Sequence, residues 1–349
     1  MSIFCETQYS IQSISTGLSE FFLAPLIFSS YILITSSLAD AAKLDIGGRL
    51  QAHVGSVSLD SGDEQKVKMY SKARLRINAE SKIVDGYKGI AFTEWEMGSQ
   101  TSQNGKWNTR FAYVGIKSDN YGTLTLGQDY SAMFNVVGLG YLFTEWAKGG
   151  TTYWDFGGRQ EGQIMYKYSN GGFYAGANYQ TASLNKVEDG VSASMGYKFN
   201  HNNENAPLIN AVVGFDYYNV ENTTDDRKSI AGGVSYGVHG DGLYLATLYM
   251  NTQMDESEDI HGYEIAGSYT WDCGVKLMLN YQNKTQDGAT LVSSTNGELQ
   301  YAFNSNFKAI TEWEIGIGDI DKVDSLGRKI GSTKERQDDK FMVGLQYNF

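Results

Sequence analysis

Proline and cysteine are nearly missing, with two of each in 349 residues. Cys5 falls in an N-terminal apolar leader and Cys273 in a tight Asp272-Cys273-Gly274 turn. A mature chain would therefore hold one thiol and no internal disulfide. The four histidines (His53, His201, His239 and His261) show no metal-ligand spacing. The chain has no nucleophile elbow, no phosphate-cradling glycine loop and no dinucleotide fingerprint. Its 40 glycines often come as pairs, but in turns, where their freedom at positive φ explains them. Basic residues are outnumbered 28 to 40, giving a net charge of −12, which excludes nucleic acid as a natural partner. Beyond residue 42 no run carries helical periodicity. We expect no cofactor, no metal and no enzymatic activity.

What is present is alternation. In the closing stretch Phe341, Val343, Leu345, Tyr347 and Phe349 share one face of a strand, with Met, Gly, Gln and Asn between them. Aromatic rings at both ends of an aliphatic face suit a strand crossing lipid between two interfacial girdles. The last strand of a soluble sandwich is the alternative. A strand near 73–80 argues against it, because Arg74, Arg76, Asn78 and Glu80 share one face and Ala73, Leu75, Ile77 and Ala79 the other. Charges at that density must point into water, so a lipid-facing strand of this kind must line an aqueous lumen. Half-wet strands also account for a polar mean hydropathy of −0.36 beside 24 tyrosines.

Strands of this type are expected at 44–54, 73–80, 87–97, 109–117, 123–128, 161–168, 172–180 and 191–199. Others are expected at 207–220, 228–238, 243–250, 260–271, 275–284, 297–303, 307–317 and 341–349. Their number, sixteen, is even, as is usual for single-chain transmembrane barrels. Tight turns such as Asp85-Gly86, Asn170-Gly171 and Cys273-Gly274 alternate with long polar connections, including 318–340. Outward rings are expected at Tyr87, Tyr113, Tyr166, Tyr197, Trp271 and Tyr301 among others. Residues 1–42 resemble a secretory signal: an apolar run at 21–34 precedes a small-residue site at Ala39-Asp40-Ala41. The leader carries Glu6 and Glu20 and no basic residue before Lys43, so its start is expected to be misassigned; a membrane anchor is the alternative.

From Lys43 to Phe349 the chain resembles the general diffusion porins of the Gram-negative outer membrane. The resemblance rests on Lys43-Leu44-Asp45-Ile46-Gly47-Gly48-Arg49, Ala73-Arg74-Leu75, Thr109-Arg110-Phe111-Ala112 and Gly158-Arg159-Gln160-Glu161-Gly162. It implies an all-β fold: a sixteen-stranded antiparallel transmembrane barrel with an inward-folded third loop, 129–158. It also implies a homotrimer, which the small residues Gly48 and Ala52 on the first strand support weakly. The implied partners are outer-membrane lipid and lipopolysaccharide, small hydrophilic solutes and ions. Two departures from the family pattern stand out: Thr144-Glu145-Trp146-Ala147-Lys148-Gly149-Gly150 lacks the usual proline and gains a lysine, and Tyr141 stands near a second loop acid of the family.

The expected constriction sets Arg49, Arg74, Arg110 and Arg159 on one wall against Glu145 and Asp155 on the loop, with Glu96 on the third strand. A transverse field of this kind lets cations and anions pass along opposite sides. An acid–base pair at Glu145 and Asp155 would be the enzymatic alternative, but no nucleophile or substrate motif accompanies it. Passive diffusion of small hydrophilic solutes is the expected function. A solute-selective porin and a barrel adhesin acting through its external loops are the rivals. The whole-chain net charge leads us to expect mild cation preference.

Overall fold

The computed structural model describes residues 42–57, 66–98, 107–156, 158–181, 187–204, 206–220, 226–255, 257–323 and 329–349. The proposed leader lies outside them. The strands are β1 (Lys43–Val57), β2 (Lys66–Val84), β3 (Tyr87–Gly98), β4 (Trp107–Ser118), β5 (Gly122–Tyr130) and β6 (Arg159–Asn170). Next come β7 (Phe173–Gln180), β8 (Val187–Phe199), β9 (Ile209–Val220), β10 (Arg227–Val238), β11 (Asp241–Met254) and β12 (Ile260–Thr270). The chain ends with β13 (Val275–Gln286), β14 (Ala289–Ala302), β15 (Phe307–Gly316), β16 (Asp319–Val323), β17 (Lys329–Arg336) and β18 (Lys340–Asn348). All but β16 and β17 join neighbour to neighbour, antiparallel, into a closed sixteen-stranded barrel, and β18 pairs with β1 to shut it. Closure leaves no strand edge in lipid, where an unpaired N–H or C=O would cost several kcal/mol. No helix among the described residues is long and apolar enough to cross a membrane; the strands do the crossing.

Alternation decides which way each strand faces. On β1, Leu44, Ile46, Leu50 and Val54 lie exposed on the outside, while Gln51 and His53 are buried toward the lumen. On the outside of the turn-bearing rim sit Tyr166, Tyr197, Phe199, Trp271, Tyr301 and Phe349, each still substantially exposed. Rings of this amphipathic kind belong at headgroup depth. Both ends of the barrel chain meet the short-turn rim: the Gly48 and Phe349 backbones exchange hydrogen bonds of 2.9 and 3.1 Å, and the Phe349 ring covers Gly48.

Three expectations need correction. Residues 318–340 are not a plain loop, since β16 and β17 pair into a separate two-stranded sheet. β14 begins at Ala289 rather than near 297, because Asp287 and Gly288, at φ 47° and 68°, make a two-residue hairpin turn. Both central residues at positive φ match the twist of the flanking strands. Tyr113 faces the lumen: its ring meets Phe92 at 5.5 Å, and Phe92 in turn meets Phe111.

The one large apolar cluster among the described residues lies inside the barrel. The loop between β5 and β6 turns inward through a short helix, α1 (Phe134–Val137), and a 3₁₀ turn at Thr152–Phe156. It presses Met133, Val136, Val137, Leu139, Leu142 and Phe143 onto the inner face of β9 to β13, where Val212, Leu248, Met250 and Met278 receive them. Each fully buried side chain of this size contributes about 1.5–3 kcal/mol, which holds the loop down without regular structure. Polar ties add direction: the Ala132 amide donates to Asn178 at 2.7 Å and the Met133 amide to Ser192 at 2.9 Å.

Close approach of the loop needs glycine in the wall. A Cβ on Gly262 would stand 2.1 Å from the Gly150 carbonyl oxygen, a clash only backbone movement can relieve. Gly262→Val is therefore expected to lift the loop, lower stability by about 1–3 kcal/mol and change the single-channel conductance. Heat-denaturation on gels together with a bilayer recording checks this. Wild-type values in both would mean that the loop does not depend on this contact.

Candidate functional site: the narrowed lumen

With the loop laid over the far wall, the open passage runs along β1 to β6. The register builds a charged row across that side. Arg49 on β1 stands opposite Arg74 on β2, and Arg74 stands opposite Glu96 on β3. Arg74 Nε is ion-paired with Glu96. Arg110 on β4 donates to Glu94 at 2.6 Å and reaches Glu96 at 3.5 Å. Acid and base therefore alternate from β2 to β4, and the carboxylates screen guanidinium groups that would otherwise repel by about 1–4 kcal/mol per close pair. Arg49 has no carboxylate within ion-pair distance among the described residues, and its Nε has no hydrogen-bond partner.

Arg110 reaches this row through a bulge. Simple alternation would group it with Ala112, Val114 and Ile116, and the last two face lipid. The β3–β4 pairing runs Glu94 to Phe111 and then Trp95 to Thr109, skipping Arg110. The extra residue turns Arg110 and Phe111 to the same side, as bulges do where a side chain must be re-aimed.

Glu145, at the tip of the loop, is ion-paired with Lys72 on β2, so the tip reaches from β15 past β18 and β1 to the basic side. The backbone beneath it is held from behind. The Thr144 amide and hydroxyl donate to Glu298 at 2.6 and 2.7 Å. The amides of Glu145 and Trp146 donate to Glu312 at 3.0 and 2.7 Å. Two buried wall carboxylates thus take up consecutive loop donors. Ala147, next in line, is buried at φ 61°, a left-handed bend that carries the chain away from the tip.

Arg49, Arg74, Arg110, Glu96 and Glu145 come together in one region of the lumen. Asp155 does not join them. It lies on the wall side of the loop, 3.4 Å from Arg227 on β10 and 3.2 Å from Lys284 on β13. The physical reason is the 3₁₀ turn, which points Asp155 at two buried cations that need a counter-charge. Arg159 lies beside the row rather than in it: its guanidinium is 5.6 Å from the centre of the Phe111 ring and 5.4 Å from that of Tyr130, and it donates to the Tyr130 hydroxyl at 3.0 Å.

Sequence reasoning passed over Lys72, Lys148, Glu298 and Glu312 as site residues. Lys72 was legible, since it shares the face of Arg74 and Arg76. Lys148 hangs from the loop 5.3 Å from the Tyr141 ring centre and 6.0 Å from that of Trp154. Burial opposes ionisation of the Tyr141 hydroxyl, but Lys148, Arg110, Arg74 and Arg159 outweigh it and hold the phenol below its usual range. Tyr141, like Glu145, is thus a loop group within electrostatic reach of the basic wall.

A profile of the Gram-negative porins matches residues 29–349. The outer membrane porin PhoE of Klebsiella oxytoca is 24% identical, over 91% of this chain and 97% of its own length. Among solved structures, Salmonella typhi OmpF in complex with daunomycin superposes with a TM-score of 0.70 at 21% identity, covering 88% of this chain and 97% of that one. The anion-selective porin of Comamonas acidovorans superposes at 0.68 with 18% identity, covering 88% of this chain and all of that one (100%). A closed lumen-lining barrel, an inward loop and a profile match over nearly the whole chain lead to one conclusion: the protein belongs to the Gram-negative porin family and resides in the outer membrane.

Proposed function

We propose that the chain forms a general diffusion channel for small hydrophilic solutes whose narrowest part favours anions weakly. The observation that carries this is the local charge count. At the eyelet Arg49, Lys72, Arg74, Arg110, Lys148 and Arg159 stand against Glu94, Glu96 and Glu145, while Glu298 and Glu312 lie buried behind the loop tip with their oxygens taken up by its donors. The net charge of −12 belongs to the whole chain, and charge more than about 8–10 Å from a permeating ion is largely screened at physiological salt. The eyelet sets the sign, so the cation preference expected from composition gives way to a modest anion preference. Glu145, Glu96 and the arginines act here as the constriction, and Asp155 serves to hold the loop.

The working unit is proposed to be a homotrimer embedded in outer-membrane lipid and lipopolysaccharide. The small, exposed Ala52 on the outside of β1 favours close contact with a second copy, whereas Gly48 lies beneath the Phe349 ring. Residues 1–42 act as the export signal in this reading.

The test is a planar-bilayer recording of the refolded chain across a KCl gradient. An open channel is expected, with a reversal potential on the anion side that shrinks as salt rises. A conducting channel with cation preference would overturn the eyelet argument. A barrel that carries no current would overturn the channel itself and favour a role for the external loops.

A further inference from the structure

The lumen holds a feature that a simple sieve does not need. Aromatic rings run without a break from the wall to the loop. Phe111 meets Tyr130 edge-on at 5.2 Å, Tyr130 meets Trp154 edge-on at 6.2 Å, and Trp154 meets Tyr141 at 5.0 Å. All four rings are partly buried and keep some exposed surface, Tyr130 and Trp154 while also packing against the loop core. Two cations flank this strip. Arg159 rests against the wall end, over Phe111 and Tyr130, and Lys148 against the loop end, over Tyr141 and Trp154. Among the described residues neither has a carboxylate within ion-pair distance, whereas Lys72, Arg74 and Arg110 in the same passage all do.

We propose that this strip is a solute-binding site for small anions that carry a flat ring, aromatic carboxylates being the simplest class. The reading rests on the channel proposed above. A ring face can slide along a run of aromatic side chains with little specificity, because each contact is stacking or edge-to-face. The anionic group of such a solute supplies the counter-charge that Arg159 and Lys148 lack. Arg159 suits a planar carboxylate, since its fork can offer two parallel N–H donors while its face stays on the rings. The two cations at opposite ends would let the charge pass from loop to wall as the ring moves. Sugars, which lack the charge, would find only the rings.

The probe is benzoate, added to the full-length protein in a planar bilayer at fixed KCl, with cyclohexanecarboxylate and acetate as matched anions. Benzoate is expected to interrupt the current in a concentration-dependent way. Cyclohexanecarboxylate should do so about tenfold more weakly, and acetate not at all. Arg159→Gln and Trp154→Leu should each weaken the benzoate effect about three- to tenfold. Because Trp154 also touches the loop core, Lys148→Gln, on the loop surface, gives a second reading with the same expected direction. Equal interruption by benzoate and cyclohexanecarboxylate, or three variants that all block like the parent, would overturn the site. An open channel indifferent to benzoate defeats this inference alone; a barrel that conducts nothing defeats the channel reading beneath it.

Discussion

Changing Arg49, Arg74 and Arg110 together to glutamine should reverse the sign of the ion preference. The triple variant leaves Lys72, Lys148 and Arg159 against Glu94, Glu96 and Glu145, two of which lose their partners outright, and Glu298 and Glu312 behind the loop tip add to the acidic side. One unit charge at about 4 Å in water is worth roughly 1 kcal/mol, and about 1.4 kcal/mol is tenfold in a ratio. The permeability ratio of chloride to potassium is therefore expected to fall by about an order of magnitude or more. Reversal potentials at 0.1 M and 1 M KCl measure it, and the change should be smaller at the higher salt because screening shortens. The variant also removes bulk from the wall, so total conductance should rise. A variant that stays anion-selective would show that the sign is set elsewhere along the passage.

The second large effect concerns the hold on the loop tip. Glu298→Ala combined with Glu312→Ala removes the acceptors of the Thr144, Glu145 and Trp146 amides. Each buried donor left without a partner costs about 1–3 kcal/mol, so the tip is expected to detach while its apolar portion stays on the wall. Single-channel traces should become noisy, with visits to a higher conductance. Glu298→Gln and Glu312→Gln keep one acceptor oxygen each and should give a milder version. A quiet trace at the parental level from the double alanine variant would mean that the apolar packing alone fixes the tip.

How much of this could be read from the residues depends on the rule each element obeys. The barrel was legible because alternation is local: the row Arg74, Arg76, Asn78 needs no knowledge of the rest of the chain to declare a wet face. Arg110 shows where that rule stops. Its place on the inner face comes from a bulge set by the pairing of β3 with β4, and pairing is not written in β4 alone. Tyr113 was assigned outward for the same reason, since alternation was counted from the wrong side of the bulge. Asp155 was misplaced because its partners, Arg227 and Lys284, lie far along the chain on strands whose inner faces had been treated as ordinary lumen. A signal for the landing wall was present in β11, where Leu243, Tyr244, Leu245 and Ala246 run apolar on both faces. A strand that is apolar on both faces must be covered on both, once by lipid and once by protein.

The hairpin at Asp287-Gly288 was overlooked despite being one of the strongest short turn signals a sequence offers. The expectation of a long connection on that rim outweighed it. Glu298 and Glu312 had the right parity but no distinguishing mark, because their role is to accept from backbone amides of a loop more than a hundred residues away.

The pairing of β1 with β18 also constrains how the chain is made. Leu50 finds Tyr347, and Arg49 finds Asn348, only after every intervening strand has been synthesised. Contacts between such distant residues are slow to form, because the entropy of closing the ring is lost before they return anything. Until that last zipper closes, β1 and whichever strand is newest both present bare edges. A chain interrupted anywhere before β18 has no smaller closed form to settle into, so truncated copies should be left to proteases and holding chaperones rather than reaching the membrane as partial channels.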